Sequence, residues 1–431
     1  MRLHSHSNIT PSLEEYVFAE RNVSYSSELY EPSPEELKKI KKTSSSPVSP
    51  HKGPMVNGMV KCIIDTDIGT DFDDTLAILY ALNLVNLEIL GITTNYGPTQ
   101  LRSSIVHKIV DSYMKYHPNR KNIPIISGAN FQIGTHREIF IKGNEGRPFF
   151  SKEEIENNYL DPKKWESNSQ TEAADFIAQT INSNPGEIKI ISIGIMTNIA
   201  LAFKRNPEII PKIKEMVVMG GGGVLTSQKT IFTAKYSTDP KQWEKKVSKL
   251  EDVLPYDDSS VPNFVCQGNM IHLYPNHNFS GDTMATVSVF EHPIPTKIIP
   301  HSVTSKFWLS GHAIQYLHDR ANDARSKGVL DDEATEVAGL IMEEWFKLRR
   351  GQNGQCPHDP LTVNEAAFGS DQSPIYYVNG TMIIHRWAAY STFIPHEDGK
   401  HLLGIYVHDK DVPPFLDFLG KKITNDYDKE K

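Results

Sequence analysis

The sequence predicts an α/β protein built on an open, mostly parallel β-sheet with helices on both faces. Two observations predict it. Short apolar runs rich in β-branched residues alternate with stretches of helical spacing. The chemically distinctive residues fall just after those runs, at the edge where open α/β sheets bind ligands. At 431 residues the chain can hold a core of about 250–300 residues plus appendages.

Residues 1–58 carry little apolar periodicity and end in KKIKKTSSSPVSPHKGPMVNG, so a flexible polar tail is expected there. One α/β domain is expected over 59–425. VKCII (60–64) reads as a first strand and TLAILYAL (75–82) as the helix after it. LEILGITT (87–94), IPIIS (123–127), IKIISIG (188–194) and EMVVMGG (215–221) read as further strands. QLRSSIVHKIVDSYMKY (100–116) and TNIALAFKRN (197–206) read as helices between them. Strands this continuously apolar are buried on both faces, which is the signature of a parallel sheet. Residues 223–270 are polar, charged and proline-punctuated, and read as an insertion. Patterned sequence resumes at TKIIPHSVTSKFWL (296–309). A long helix is expected at 331–350, and strands near TMIIHRWA (381–388) and LLGIYVH (402–408).

Composition excludes several classes. Acidic residues outnumber basic ones, 53 to 45, a formal charge of −8, so no nucleic-acid partner is expected. The three cysteines are far apart and suggest neither a disulfide framework nor a zinc site. The N-terminus lacks an apolar signal region, and the most apolar run (76–92) is broken by Asn83, Asn86 and Glu88. A cytoplasmic protein without a membrane segment is expected.

The chemistry concentrates in Asp65-Thr-Asp-Ile-Gly-Thr-Asp-Phe-Asp-Asp74, where five carboxylates occur in ten residues between a strand and a helix. Their mutual repulsion calls for compensation, and a hard divalent cation with oxygen ligands suits it. Helix capping explains Asp73 or Asp74 but not five acids. An EF-hand fails, because its sixth and twelfth positions are Thr70 and Leu76. An aspartyl-phosphatase loop, with Asp65 as nucleophile and Gly281-Asp282 downstream, is the remaining rival.

The acidic loop is followed, in order, by GITTNYG (91–97), GNEGR (143–147), and IGIMTNIALA (193–202) with VVMGGG (217–222). NHNFSGD (276–282) with PIPTKIIPHSVT (293–304), and HDPLTV (358–363), complete the set. This ordered set resembles the inosine-uridine nucleoside hydrolase family, whose members cut the N-glycosidic bond of ribonucleosides with a calcium ion. The resemblance implies a Rossmann-like nucleoside hydrolase fold, a calcium cofactor, and a nucleoside substrate in catabolism or salvage. It also implies a homodimer or homotetramer. Carried over, the calcium ligands are Asp67, Asp74, the main-chain oxygen of Thr197, and Asp359. Asp67 takes the proton of a calcium-activated water. Asp73, Asn278, Met219 and the residue at 276 face the substrate, and His358 protonates or orients the departing base.

Some positions depart from the family pattern. The acidic loop is two residues longer than usual, which leaves either Asp67 or Asp71 as the base. Pro98 stands where many members have Asn, and Asn276 where a Glu is usual. The third segment lacks the family's His. A catalytically impaired relative, binding metal and nucleoside or a protein partner, is therefore the alternative. Plainer readings are a structural histidine for His358 and a turn residue for Asn278.

Overall fold

The computed structural model describes residues 58–423, except 134–138, 140–145, 148, 167–168, 223, 226–270, 274, 311–353, 370–372, 387–390, 397 and 408. The expected tail, most of the insertion and the expected helix at 331–350 lie outside the described residues.

The first strand, β1 (Val60–Thr66), is buried along nearly its whole length, as its unbroken apolar run requires. It lies between β2 (Leu87–Thr94) and β4 (Ile188–Ser192), parallel to both. Beyond β2 comes β3 (Ile125–Ser127). Beyond β4 come β5 (Glu215–Met219), β8 (Thr296–Ile299) and β13 (His401–Val407), all parallel. The remaining strands are antiparallel additions: β11 (Ile375–Ile384), β12 (Ser391–Pro395), β7 (Ile271–Leu273) and β6 (Val224–Leu225). The 11-stranded order is β3-β2-β1-β4-β5-β8-β13-β11-β12-β7-β6. A separate pair joins β9 (Leu309–Ser310) to β10 (Gly354–Gln355). The sheet is thus open and mostly parallel, as expected.

Successive residues of β1 serve opposite faces, the ordinary consequence of the pleat. Ile64 joins one apolar cluster with α1 (Asp73–Leu82), α2 (Thr99–Tyr116), α10 (His358–Phe368) and α11 (Val412–Ile423). Ile63 joins the other, with α5 (Glu172–Ser183), α6 (Thr197–Arg205) and α8 (Thr283–Phe290). The shorter helices are α3 (Lys152–Asn158), α4 (Pro162–Glu166), α7 (His277–Ser280) and α9 (His301–Thr304).

Several boundaries differ from expectation. The third strand is confined to Ile125–Ser127. The strand expected at 381–388 runs Ile375–Ile384, because its whole length pairs with β13 on one side and β12 on the other. The insertion is bracketed by an antiparallel pairing, Val224 opposite Leu273 and Leu225 opposite His272.

Two features aim the fold at one place. The chain runs outward from β1 to β2 and β3, then returns to β4 on the other side of β1. The carboxyl ends of β1 and β4 therefore flank a topological switch point, where loops diverge and leave a crevice. Helix α10 enters this crevice with its N-terminus. Its far end is held by buried ammonium groups: Lys189 Nζ donates to Ala366 O at 3.0 Å and Lys297 Nζ to Glu365 O at 3.3 Å. Cations at a helix C-terminus complement its dipole.

Candidate functional site

At the end of β1, Asp65 lies opposite Thr93 on β2 and Ser192 on β4. It is fully buried. Its Oδ1 accepts from Thr93 Oγ1 at 2.6 Å and Asn198 Nδ2 at 2.8 Å, and its Oδ2 from Asn95 Nδ2 at 3.0 Å. Burial pushes its carboxyl up to about 7 against these bonds, with the neighbouring Asp67 adding to the rise. Both oxygens are engaged by neighbours, so Asp65 ties two strands to α6. This corrects the phosphatase rival, which needs Asp65 as a free nucleophile. Asp282 is likewise structural: it caps α8 through Ala285 N at 3.0 Å and also accepts from Ile133 N and Thr197 Oγ1.

The acidic loop then crosses the sheet edge. Its backbone passes so close to Gly194 that a Cβ there would lie 2.6 Å from Asp67 N, so only glycine fits. The loop delivers Asp73 and Asp74 to the first turn of α1, and α10 delivers Asp359 in its own first turn. All three are buried, and a carboxylate oxygen from each lies within 4.8 Å of the others. Thr66 Oγ1 donates to Asp74. Burial comes first among the causes that push Asp74 and Asp359 well above the usual carboxylate range. Repulsion follows, from Asp67 and Asp73 for Asp74, and from Asp73, Asp74 and Asp67 for Asp359.

Three buried carboxylates facing two helix N-termini form a set of hard oxygen donors without sulfur or imidazole. A divalent cation of the calcium type fits it, and zinc does not. Asp73, expected on the substrate side, belongs to this group as closely as Asp74 and Asp359. Asp67 stands beside it: its Oδ2 is 3.3 Å from His277 Nε2, and its charge raises both Asp74 and Asp359. Thr197 opens α6, and its hydroxyl donates to Asp282 Oδ2 at 2.8 Å, which anchors the residue expected to offer its carbonyl.

On the opposite side of the crevice the structure brings Met219, Asn276 and Asn278 together. Asn278 Nδ2 donates to Ile193 O at 3.0 Å and Met219 O at 3.1 Å. Asn276 caps α7, accepting from Phe279 N at 3.2 Å and from Gly221 N at 3.0 Å. Its Nδ2 lies 3.7 Å from Met219 Sδ. The expected substrate contact at 276 is thus an amide whose oxygen already fastens the glycine loop after β5 to α7. His358 is half-buried, its Nδ1 2.6 Å from Thr304 Oγ1 and its ring 4.7 Å from that of His301. Burial, with the His301 charge second, holds its pKa well below 6.5. That shift disfavours the charged imidazole, and the bond to Thr304 fixes the orientation of the ring.

Sequence reasoning assigned no role to His277, Tyr96, Arg102 or His301. His277 sits between two residues it did single out, and its ring meets that of Tyr96 edge-on at 5.2 Å. Tyr96 is the one non-glycine with positive φ, +65°, among the described residues. The third-segment residues 143–145 lie outside the described residues.

A pH dependence follows from the raised carboxyls. The folded protein holds their protons at pH values where the unfolded chain has released them. Without a bound cation, these groups therefore contribute stability that is fully present below the ordinary carboxylate value of 3.8 and is lost as pH rises towards about 7, the window of Asp65. Melting in chelator from pH 5 to pH 8 should show the midpoint falling, and added calcium should flatten the fall. An equal slope with and without calcium would refute a cation at these carboxylates.

A switch-point crevice lined by buried carboxylates defines an open-sheet α/β protein with an acidic cluster that could bind a metal ion. The sequence profile described as inosine-uridine preferring nucleoside hydrolase matches residues 62–387. The chain belongs to that family. It is 32% identical over 164 residues to uridine nucleosidase 1 of Arabidopsis thaliana, covering 37% of this chain and 45% of that protein. The aligned stretch spans about half the length of the curated relatives it matches. Its fold is similar to that of a plant nucleoside hydrolase, the PpNRh1 enzyme, with a TM-score of 0.56, 19% identity, and coverage of 85% of this chain and 99% of that one. The purine-preferring ribonucleoside hydrolase of Gardnerella vaginalis gives 0.57 and 20% over 85% and 98%. No helix among the described residues is long and apolar enough to cross a membrane.

Proposed function

We propose that the protein hydrolyses the N-glycosidic bond of a ribonucleoside, releasing the free base and ribose, with calcium as its resident cation. The reading rests on the buried group of Asp73, Asp74 and Asp359 beside Asp67 at the switch point. Family membership and a relative named as a uridine nucleosidase support it. Asp67, Asp73, Asp74, Asp359 and the carbonyl of Thr197 are the groups that would hold the cation or meet the ribose hydroxyls. Calcium, when bound, supplies Lewis acidity and neutralises the carboxylates.

The chain's own groups supply the rest. Cleavage builds oxocarbenium character on the sugar, and the concentrated carboxylates stabilise that positive charge. Asp67 accepts the proton of the attacking water. Asn278, fixed by two backbone carbonyls, holds a ribose hydroxyl. His358, steadied by Thr304 and His301, protonates or orients the departing base. A homodimer or homotetramer in the cytoplasm, serving nucleoside salvage, completes the reading, and light scattering of the purified chain would check the assembly.

A panel of purine and pyrimidine nucleosides, assayed for free ribose with calcium and with chelator, tests the proposal. Calcium-dependent release from at least one is expected. Intact calcium binding with no release from any would favour the second reading, a metal-holding relative without chemistry. That reading has one observation behind it: position 276 offers an amide engaged in capping where a family carboxylate is usual.

A further inference from the structure

We infer that Arg102 is a positioning residue that staples the acidic loop to the turn after β2 and so sets the carboxylates of the cation site. The inference rests on the proposed reading of that site. Arg102 lies in the first turn of α2 and is fully buried. Its Nε donates to Tyr96 O at 2.7 Å. Its Nη1 faces three oxygens of the acidic loop: Asp67 O, Ile68 O at 2.7 Å, and Thr70 Oγ1 at 3.0 Å. One guanidinium thus bridges the loop after β1 and the turn after β2.

Several features show that this arrangement is not incidental packing. A cation in the first turn of a helix opposes its dipole, and a buried charge needs strong compensation. Three backbone carbonyls and one hydroxyl supply it, and the Arg102 charge also favours the ionised form of Asp74. Thr70 belongs to the stretch that makes this loop two residues longer than the usual family form, so the staple engages the added length itself. Tyr96, at φ +65°, sits in a left-handed conformation that is unfavourable for a non-glycine residue. Its carbonyl is gripped by Nε, and its ring meets His277, which faces Asp67. Lysine has one donor head and cannot span both loops, whereas the planar guanidinium fork can.

The test compares wild type, Arg102→Met, Arg102→Lys and Thr70→Val by amide hydrogen exchange, by calcium titration calorimetry on metal-free protein, and by ribose release. In Arg102→Met, exchange across residues 66–72 is expected to accelerate at least tenfold while β4 and α5 stay unchanged. The calcium dissociation constant should weaken tenfold or more, and Arg102→Lys should recover only part of either change. Should Arg102→Met fail to fold, Thr70→Val carries the same comparison, since it removes one acceptor and keeps the guanidinium; a threefold or greater acceleration confined to the loop supports the staple. Exchange within twofold of wild type overturns it. Accelerated exchange with unchanged calcium affinity overturns the positioning role. A wild type that binds calcium but releases no ribose refutes the proposed function while the exchange and calcium results still decide the inference.

Discussion

Asp67→Asn is expected to lower ribose release by about 10³-fold, within the range a lost general base removes, with the melting midpoint little changed. The reason is geometric. Arg102 holds the backbone oxygen of Asp67, not its side chain, so the amide leaves the loop's main anchor intact. What disappears is the proton acceptor that lies 3.3 Å from His277 Nε2 and acts on both Asp74 and Asp359. Asp71, the rival base in the lengthened loop, accepts from Phe72 N at 2.7 Å and acts only weakly on the cluster, as the last contributor to Asp359. Steady-state assays of both variants separate them. Retention of activity within tenfold in Asp67→Asn, with collapse in Asp71→Asn, would move the base to the added residues.

Asp74→Asn should split stability in two directions. In chelator the variant should melt a few degrees higher than wild type. A gain of about 2 kcal/mol corresponds to roughly 2–3 °C in a domain this long, because the unfolding entropy grows with chain length. Burial opposes the Asp74 charge first, and repulsion from Asp67 and Asp73 opposes it next. Asparagine removes both penalties while keeping an oxygen for Thr66 Oγ1. With calcium the order should invert, because the variant lacks an anionic donor and its calcium-dependent shift should vanish. A purely structural Asp74 would give a lower midpoint under both conditions, and that result would remove it from the cation site.

The fold was legible in the sequence wherever one strand or helix sufficed to bury its own pattern. LEILGITT matches β2 residue for residue, and the apolar run at Val60 could only be a central strand. Helix α8 was not legible: Met284 to Phe290 is β-branched and apolar, and only the Asp282 cap, set by distant Thr197 and Ile133, commits it to a helix. The four antiparallel strands at one end of the sheet depend on partners far apart in the chain, which local patterns cannot encode. In the site, the 65–74 loop was legible because carboxylates crowded where an apolar strand ends repel one another and call for compensation, whereas Asp359 came only with the family resemblance and Asp73 was expected on the substrate side. Arg102 was not, since nothing in QLRSS distinguishes a buried clamp from a solvated arginine. Nor was the pairing of His358 with His301 and Thr304, residues more than fifty positions away.

The pairing of β6 with β7 has a consequence for how this chain can change. Residues 225 and 271 leave and rejoin the sheet side by side, at its outermost edge and beyond the parallel strands that carry the carboxylates. Whatever lies between them hangs from a closed clasp, so its length is uncoupled from the architecture that bears the chemistry. Such a seam lets a lineage lengthen, shorten or exchange the intervening stretch by single genetic events without renegotiating the core, and it gives an engineer the same freedom.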